Sequence, residues 1–415
     1  MVLDLIVNII IFITLYLALF WMLVLFNFET KGPRIKKYPS LTIFIPAYNE
    51  GKNIAKTIDS VKNADYPGIL EILVIDDKSS DDTYEQAKKF KEVKVIKKKK
   101  NEGKPKALNQ ALQMCKTDLF AVLDADSTIA RNALKNGVRY FYQNDAVGAV
   151  ISKMRPENTD KNLVERIQVI EYMFVGLIRA LSASLRLLHI TPGVLSIYKT
   201  KALREIGGFD VKNVTEDFEA AVRLRKNNYL INYAHNSLTK TVTPSDFKTF
   251  LKQRVRWARG FIQTHVSHRD IFFNKKQGLF GMYEFPMNLV SPLVFFIAVF
   301  VLMINIVDFI YQSLYTLIVT PGVIDWLDFP GFRTMILSLD IGILLPIFMS
   351  LFLILTFIML VFKFYDYKFF EKHKFKNIVT LFFYLMVYNY IYLYVWLKGL
   401  YKEIIREKYQ WETKS

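Results

Sequence analysis

The chain has 415 residues, with 55 Lys and Arg against 38 Asp and Glu and a formal net charge of +17. Apolar types make up 52% and aromatics 15%, which excludes a disordered chain; a single cysteine, Cys115, excludes a disulfide framework and a zinc site built from several thiolates. So much charge and so much apolar material must be segregated along the chain, and the elements, taken in order, show where. Residues 5–28 contain no charge and match the roughly 20 apolar residues that cross a bilayer as a helix. Their start, Met1-Val-Leu-Asp4, lacks the basic residues of a signal peptide, so 1–28 is expected to be an uncleaved anchor.

From residue 38 to about 270 the pattern changes. Strands are predicted at 41–46, 71–75, 93–96 and 119–123, and helices from Ile54, at 80–90, at 105–115 and at 131–142. Strands alternating with single helices imply a mostly parallel sheet covered on both faces, with ligands past the carboxyl ends of the strands. A further helix is predicted over 218–227, with Thr215 as its N-cap, and another over 246–268. Charge-free runs follow at 285–307, at 341–362 (with a start as early as 334) and at 377–397, each expected to span the membrane. Lys and Arg near the spans put the 38–270 domain and the 363–376 loop in the cytoplasm, and the N-terminus and the 308–333 loop outside. The basic tail, 398–415, should then lie outside after a fourth span, yet it carries Lys398, Lys402, Arg406 and Lys408, which conflicts with that placement.

The strand ends carry the chemistry. Pro46-Ala47-Tyr48-Asn49-Glu50 follows the first strand, Asp76-Asp77 the second and Asp124-Ala125-Asp126 the fourth. Asp124 and Asp126, two apart, are expected to point the same way in an extended segment. Paired carboxylates need a cation between them, and Mg²⁺ or Mn²⁺ with substrate phosphates fits oxygen ligands. A single Asp pair would be ordinary turn chemistry; three acidic strand ends along one edge favour a site. Lys97 to Lys100, Lys104 and Lys106 fall at the same edge. A diphosphate between metal and lysine uses both signs of charge. Nucleic acid is disfavoured, because the neighbouring carboxylates would repel its backbone. No Gly-x-x-x-x-Gly-Lys-Ser/Thr loop occurs, which disfavours a P-loop nucleotidase. Thr215-Glu216-Asp217 by itself reads as helix capping. Gln253, Arg256 and Trp257 share a helix face, suited to phosphate contacts and sugar stacking or to anchoring at a membrane surface.

These five motifs in this order resemble the membrane-embedded family 2 glycosyltransferases, which include hyaluronan, cellulose and poly-N-acetylglucosamine synthases. The resemblance covers about residues 40–270 and the flanking spans. It implies an α/β GT-A catalytic domain, Rossmann-like and inserted between transmembrane helices, a UDP-sugar donor and inversion at the anomeric carbon. It also implies that Ala47, Tyr48, Glu50 and Asp77, with Asp76 beside them, surround the base and ribose, and that Lys104 or Lys106 approaches the nucleotide. Asp124 and Asp126 would form the metal motif for Mn²⁺ or Mg²⁺, with Asp126 the direct ligand. Asp217 would be the general base, while Gln253, Arg256, Trp257 and Glu216 meet the diphosphate and acceptor sugar. Gly193 to Lys199 matches, less specifically, an acceptor-lining loop.

The expected activity is transfer to a growing β-linked polysaccharide coupled to passage through a multi-pass cell-membrane protein. The alternatives are single-sugar transfer to a membrane lipid, as in ceramide-glucosyltransferase-like enzymes, and a non-catalytic membrane scaffold. Four spans leave a narrow channel, to be completed by a second copy or an accessory subunit. Tyr384, Tyr388, Tyr392 and Trp396 recur every four residues, lining a sugar path or packing as an interfacial belt.

Overall fold

The computed structural model describes residues 32–319 and 374–407 continuously and single positions elsewhere. Apart from those positions, the expected spans at 1–28 and 341–362, most of the 308–333 loop and the tail beyond Glu407 lie outside the described residues. The chain divides into two compact units, 28–286 with 368–415, and 1–27 with 287–367.

The first unit is built on an eight-stranded sheet. Its strands are β1 (Leu41–Ala47), β2 (Leu70–Asp76), β3 (Lys94–Lys97), β4 (Leu119–Leu123), β5 (Ser127–Ile129), β6 (Val147–Pro156), β7 (Val194–Lys199) and β8 (Leu230–Thr241), in the spatial order β3-β2-β1-β4-β7-β6-β8-β5. β3, β2, β1 and β4 run parallel, as the alternation of strands and helices predicts. β7 then pairs antiparallel with both β4 and β6, β8 returns parallel to β6, and β5 closes the edge antiparallel to β8. The expectation of a mostly parallel sheet therefore holds for the first half and gives way to a mixed second half.

Alternation along β1 explains the layering. Leu41, Ile43 and Ile45 face one buried cluster, shared with Ile54, Ile58 and Val61 of α1 (Ile54–Lys62), Ala87 of α2 (Thr83–Lys88), and Ala133, Leu134 and Val138 of α4 (Ala133–Arg139). Phe44 faces the other. There it packs with Leu108 and Leu112 of α3 (Lys104–Met114), Ala180 of α5 (Leu163–Ser184), Leu203 of α6 (Thr200–Glu205), and Ala220 and Leu224 of α7 (Glu216–Lys226). The parallel register places Ala47, Asp76 and Lys97 side by side, so the first three strands end at one level. That shared edge positions the site.

Four longer helices follow this sandwich among the described residues. α8 (Phe247–Ser267) starts where Asp246 accepts the Thr249 N–H at 2.8 Å. α9 (Phe285–Val319) is one 35-residue helix containing Pro292, and it covers the run expected to span at 285–307. The run at 377–397 is two helices, α10 (Lys374–Met386) and α11 (Tyr388–Ile404), bent by 46°. By length and composition this bent pair and α5 are candidate membrane spans among the described residues, though more than half of the apolar part of α5 is buried inside the protein.

The bent pair lies along α5 and α8. Tyr384 stacks on Phe174, the Tyr388 hydroxyl donates to Glu171, Trp396 meets Phe261 edge-on, and the Arg166 guanidinium donates to Thr380. Three of the four-spaced aromatics are thus engaged in helix packing, while Tyr392 keeps 37% of its surface exposed. At Gly399 a Cβ would stand 3.0 Å from that of Ala258, so α11 approaches α8 closely there.

α8 also carries a buried histidine whose effect is measurable. His265 is stacked on Phe261 at 3.8 Å and on Phe285 at 4.3 Å, and burial pushes its pKa down to about 4. Burial does the same to His189. The unfolded chain takes up protons at such sites from about pH 6.5 downward while the folded protein resists until about pH 4, so stability is lost as pH falls through that window. Thermal unfolding in detergent should move to lower temperature between pH 7.5 and pH 5, by roughly 2 kcal/mol per buried histidine, and His265→Phe should remove part of that dependence. A midpoint independent of pH over this range would contradict it.

Candidate active site

Asp77, at the end of β2, holds the loop that opens the site. Its carboxylate accepts the N–H groups of Glu102 (3.1 Å) and Gly103 (2.7 Å) and pairs with buried Lys98 at 2.7 Å. Gly103 adopts φ 88°, a left-handed conformation that favours glycine, and α3 begins at the next residue. Asp77 thereby fixes the backbone that aims Lys104 inward. Asp76 is fully buried; Oδ1 accepts the Ser79 N–H at 3.2 Å, and Oδ2 has no hydrogen-bond partner among the described residues. Ala47 ends β1, and its carbonyl accepts the Asp77 N–H. Tyr48 is half-buried beside it, and Glu50 accepts from the Asn53 amide at 2.8 Å.

Lys104 reaches the centre. Its Nζ stands 2.6 Å from Asp124 Oδ1 and 3.4 Å from Glu216 Oε1. Burial alone would lower the ammonium's pKa, but the carboxylates of Asp124, Glu216 and Asp217 outweigh it and hold the lysine charged. Glu216, almost wholly buried, is pushed above the usual carboxylate range by burial, against the pull of Lys104 and Arg256 and with Asp217 adding to the rise. Of the two candidate lysines, Lys104 is therefore the central one; Lys106 is half-exposed and pairs with Glu102 at 3.3 Å.

Asp124-Ala125-Asp126 is a turn, closed by the Ser127 N–H on the Asp124 carbonyl at 3.0 Å. The alternation argument for two carboxylates on one side of an extended segment does not apply to it, a correction to the sequence reading. Asp124 is partly exposed and meets Lys104. Asp126 is buried, with Oδ1 accepting from Ser127 Oγ at 3.2 Å. Among the described residues no group of three or more His, Cys, Asp or Glu is placed to hold a metal ion. Two hard oxygen donors at a turn nonetheless fit Mg²⁺ or Mn²⁺ whose remaining ligands are phosphate and water.

Gly193 joins the two halves of the site. Its N–H donates to Asp217 Oδ2 at 3.1 Å, and its carbonyl accepts the Asp124 N–H at 3.1 Å. A Cβ there would meet Lys104 Nζ at 2.4 Å and Asp124 Oδ1 at 2.9 Å, so a larger residue would displace the ends of these two side chains. Asp217 sits in the first turn of α7, and its backbone carbonyl accepts from Thr191 Oγ1. Thr215 is at the N-cap position, as predicted, but its hydroxyl donates to Asn213 and caps no helix N–H.

α8 supports this region from behind. Arg256 Nη1 donates to the Val214 carbonyl at 3.2 Å. Gln253 accepts from Arg254, whose guanidinium also pairs with Glu171 and lies 4.2 Å over the Trp257 ring. Trp257 is 37% exposed. The structure thus gathers Lys104, Asp124, Glu216, Asp217 and, electrostatically, Arg256 around Gly193; Gln253 and Trp257 lie on α8 beside them. In the sequence Lys98 is read only as a member of the Lys97–Lys100 cluster, without its pairing to Asp77, and Gly260 is not singled out. Lys98 stood inside a lysine run, and Gly260 carries no chemistry of its own.

An open α/β sheet of this order, with carboxylates at the ends of β2 and β4 and at a helix start facing them, defines a GT-A-type glycosyltransferase fold. Residues 42–207 match the family Glycosyl transferase family 2. A poly-β-1,6-N-acetyl-D-glucosamine synthase of Staphylococcus epidermidis is 26% identical over 325 residues, covering 73% of this chain and 78% of its own. One from Staphylococcus aureus (strain COL) is 28% identical over 291 residues, covering 66% and 70%. Among solved structures, a mannosyltransferase of Pyrobaculum calidifontis in complex with GDP-mannose and Mn²⁺ shares the fold at a TM-score of 0.61 and 21% identity, over 77% of this chain and 93% of its own. Residues 42–207 thus form a family 2 glycosyltransferase domain, and the chain is a glycosyltransferase.

Proposed function

We propose that the protein transfers N-acetylglucosamine from its UDP conjugate onto the end of a growing β-1,6-linked polysaccharide, with inversion. The observation that carries the reading is the Gly193 bridge, which joins Asp217 to the Asp124 end of β4 and so to Lys104. The names of the two staphylococcal relatives favour a polymer over a single lipid-linked sugar.

Asp76, with its unpartnered buried oxygen, accepts a hydrogen bond from the base, and Ala47, Tyr48, Glu50 and Asp77 frame the nucleoside. Lys104 faces the diphosphate. Asp124 and Asp126 would hold Mg²⁺ or Mn²⁺, which supplies positive charge to the departing diphosphate. Asp217 takes the proton of the acceptor hydroxyl as its oxygen attacks the anomeric carbon. The bond to the diphosphate breaks in the same displacement, and UDP leaves with the electron pair. Trp257, backed on one face by Arg254, offers its ring to the acceptor sugar, with Gln253, Arg256 and Glu216 around the diphosphate and acceptor.

The membrane arrangement follows from the same side chains. Arg259 of α8 pairs with Glu403 near the end of α11 and donates to the Glu407 carbonyl. A chain end bound to the catalytic unit lies on that unit's side of the membrane. In this reading 374–404 enters and returns instead of crossing, and Lys398, Lys402 and Arg406 stand in the cytoplasm where basic residues belong. An epitope added after Ser415 should be reached by antibody only after cells are permeabilised; labelling of intact cells would contradict it.

The function is tested by supplying membranes with labelled UDP-N-acetylglucosamine and Mg²⁺ or Mn²⁺, then extracting with organic solvent. Label should stay in the aqueous polymer and disappear with EDTA. Label passing wholly into the lipid phase would support single-sugar transfer instead.

A further inference from the structure

We propose that Glu403, on the C-terminal helix α11, is a positioning residue for Thr215-Glu216-Asp217 and acts through Gln263. The inference rests on the reading of Asp217 as the base.

Gln263 Nε2 lies 3.1 Å from both oxygens of the Glu403 carboxylate, and Gln263 Oε1 accepts the Val214 N–H at 3.2 Å. A glutamine amide can present either end to a neighbour, but an ionised carboxylate only accepts. Glu403 therefore draws the NH₂ end to itself and leaves the carbonyl for Val214. Arg256 holds the Val214 carbonyl from the other side, and Asn213 donates to Thr264 Oγ1 at 2.9 Å. Arg256, Gly260, Gln263 and Thr264 fall at i, i+4, i+7 and i+8, one face of α8 pressed on residues 213–215. Asp217 follows two residues later. Glu403 is fixed in turn by Arg259, whose side chain is 4% exposed. A displacement of about 1 Å at a reacting group costs on the order of 10²-fold in rate, so a slack Val214 should be visible in turnover.

The test uses the full chain in membranes, with Glu403→Ala, Gln263→Leu and their double variant. Each single variant should lower kcat about 10- to 100-fold with the donor KM and UDP affinity within about twofold, because positioning acts on the transition state and leaves donor binding alone. The double should be no slower than the worse single, since both cut one relay. Glu403→Gln keeps an acceptor towards Gln263 but can also turn its NH₂ to it, so it should recover part of the rate lost in Glu403→Ala.

Turnover within about twofold of the parent in either single variant, or losses that multiply in the double, would overturn the proposal. If Glu403→Ala fails to accumulate because Arg259 loses its ion pair, Gln263→Leu keeps that pair and decides alone. Turnover within tenfold of the parent in Asp217→Asn would displace the base assignment; the comparison of single and double variants reads the relay separately.

Discussion

Asp217→Asn should abolish sugar transfer, with turnover down by about 10³-fold or more, while UDP binding stays within about twofold of the parent. The asparagine has nearly the same shape. Its carbonyl can still accept the Gly193 N–H that now meets Oδ2 at 3.1 Å, so the bridge to Asp124 survives. What is lost is a group able to take the acceptor proton, and general-base catalysis is worth about 10²–10⁴-fold. Isothermal titration with UDP and a sugar-transfer assay on the same preparation separate the two effects. Turnover within tenfold of the parent would sink the assignment; so would loss of UDP binding, which would make Asp217 part of the nucleotide pocket.

The second large effect is expected at a residue with no chemistry. Gly260→Ala in an ordinary exposed helix would add about 1 kcal/mol of stability. Here the new methyl would stand 1.9 Å from Thr215 Oγ1 and 2.6 Å from Thr215 Cβ. Thr215 is branched next to the backbone and cannot swing clear, so α8 or the 213–217 segment must shift. Overpacking of this kind costs about 1–3 kcal/mol, and the displaced Asp217 should lose about 10²-fold in rate. Thr215→Ala in the same chain removes the clashing atoms beyond Cβ and should restore part of both. A fully active Gly260→Ala, measured by thermal unfolding and turnover together, would contradict the close approach of α8.

Much of this arrangement was legible in the sequence, and the reasons differ by element. β1, β2, β3 and β4 and their helices fall within a few residues of their predicted positions, because β1, β2 and β4 are short apolar runs buried on both faces, edge strand β3 follows the same strand–helix alternation, and each helix shows one apolar stripe. β6 was not predicted: Ser152, Lys153 and Arg155 interrupt its apolar run, and only tertiary packing makes Ser152 and Lys153 buried residues. β8 carries Asn232, Asn236 and Lys240, and its irregular pairing with β6 hides the alternation. Asp124 and Lys104 were nameable because acidic residues recur at three strand ends beside a run of lysines, and Asp217 only through the resemblance of its motif. Gly193 entered only through the resemblance of its loop, and Gly260 and Gln263 were not nameable, since their part lies in what they touch. The break at 387 was invisible too, because the whole 377–397 run is apolar enough to read as one span.

Making a polysaccharide from UDP-N-acetylglucosamine is the central claim. The most direct test is to purify the chain in detergent, supply UDP-N-acetylglucosamine with Mn²⁺ or Mg²⁺, and size the products by mass spectrometry. The account predicts a ladder of β-1,6-linked N-acetylglucosamine oligomers made by the parent chain. Release of UDP with only a single sugar attached to lipid, or no transfer from this donor, would contradict it.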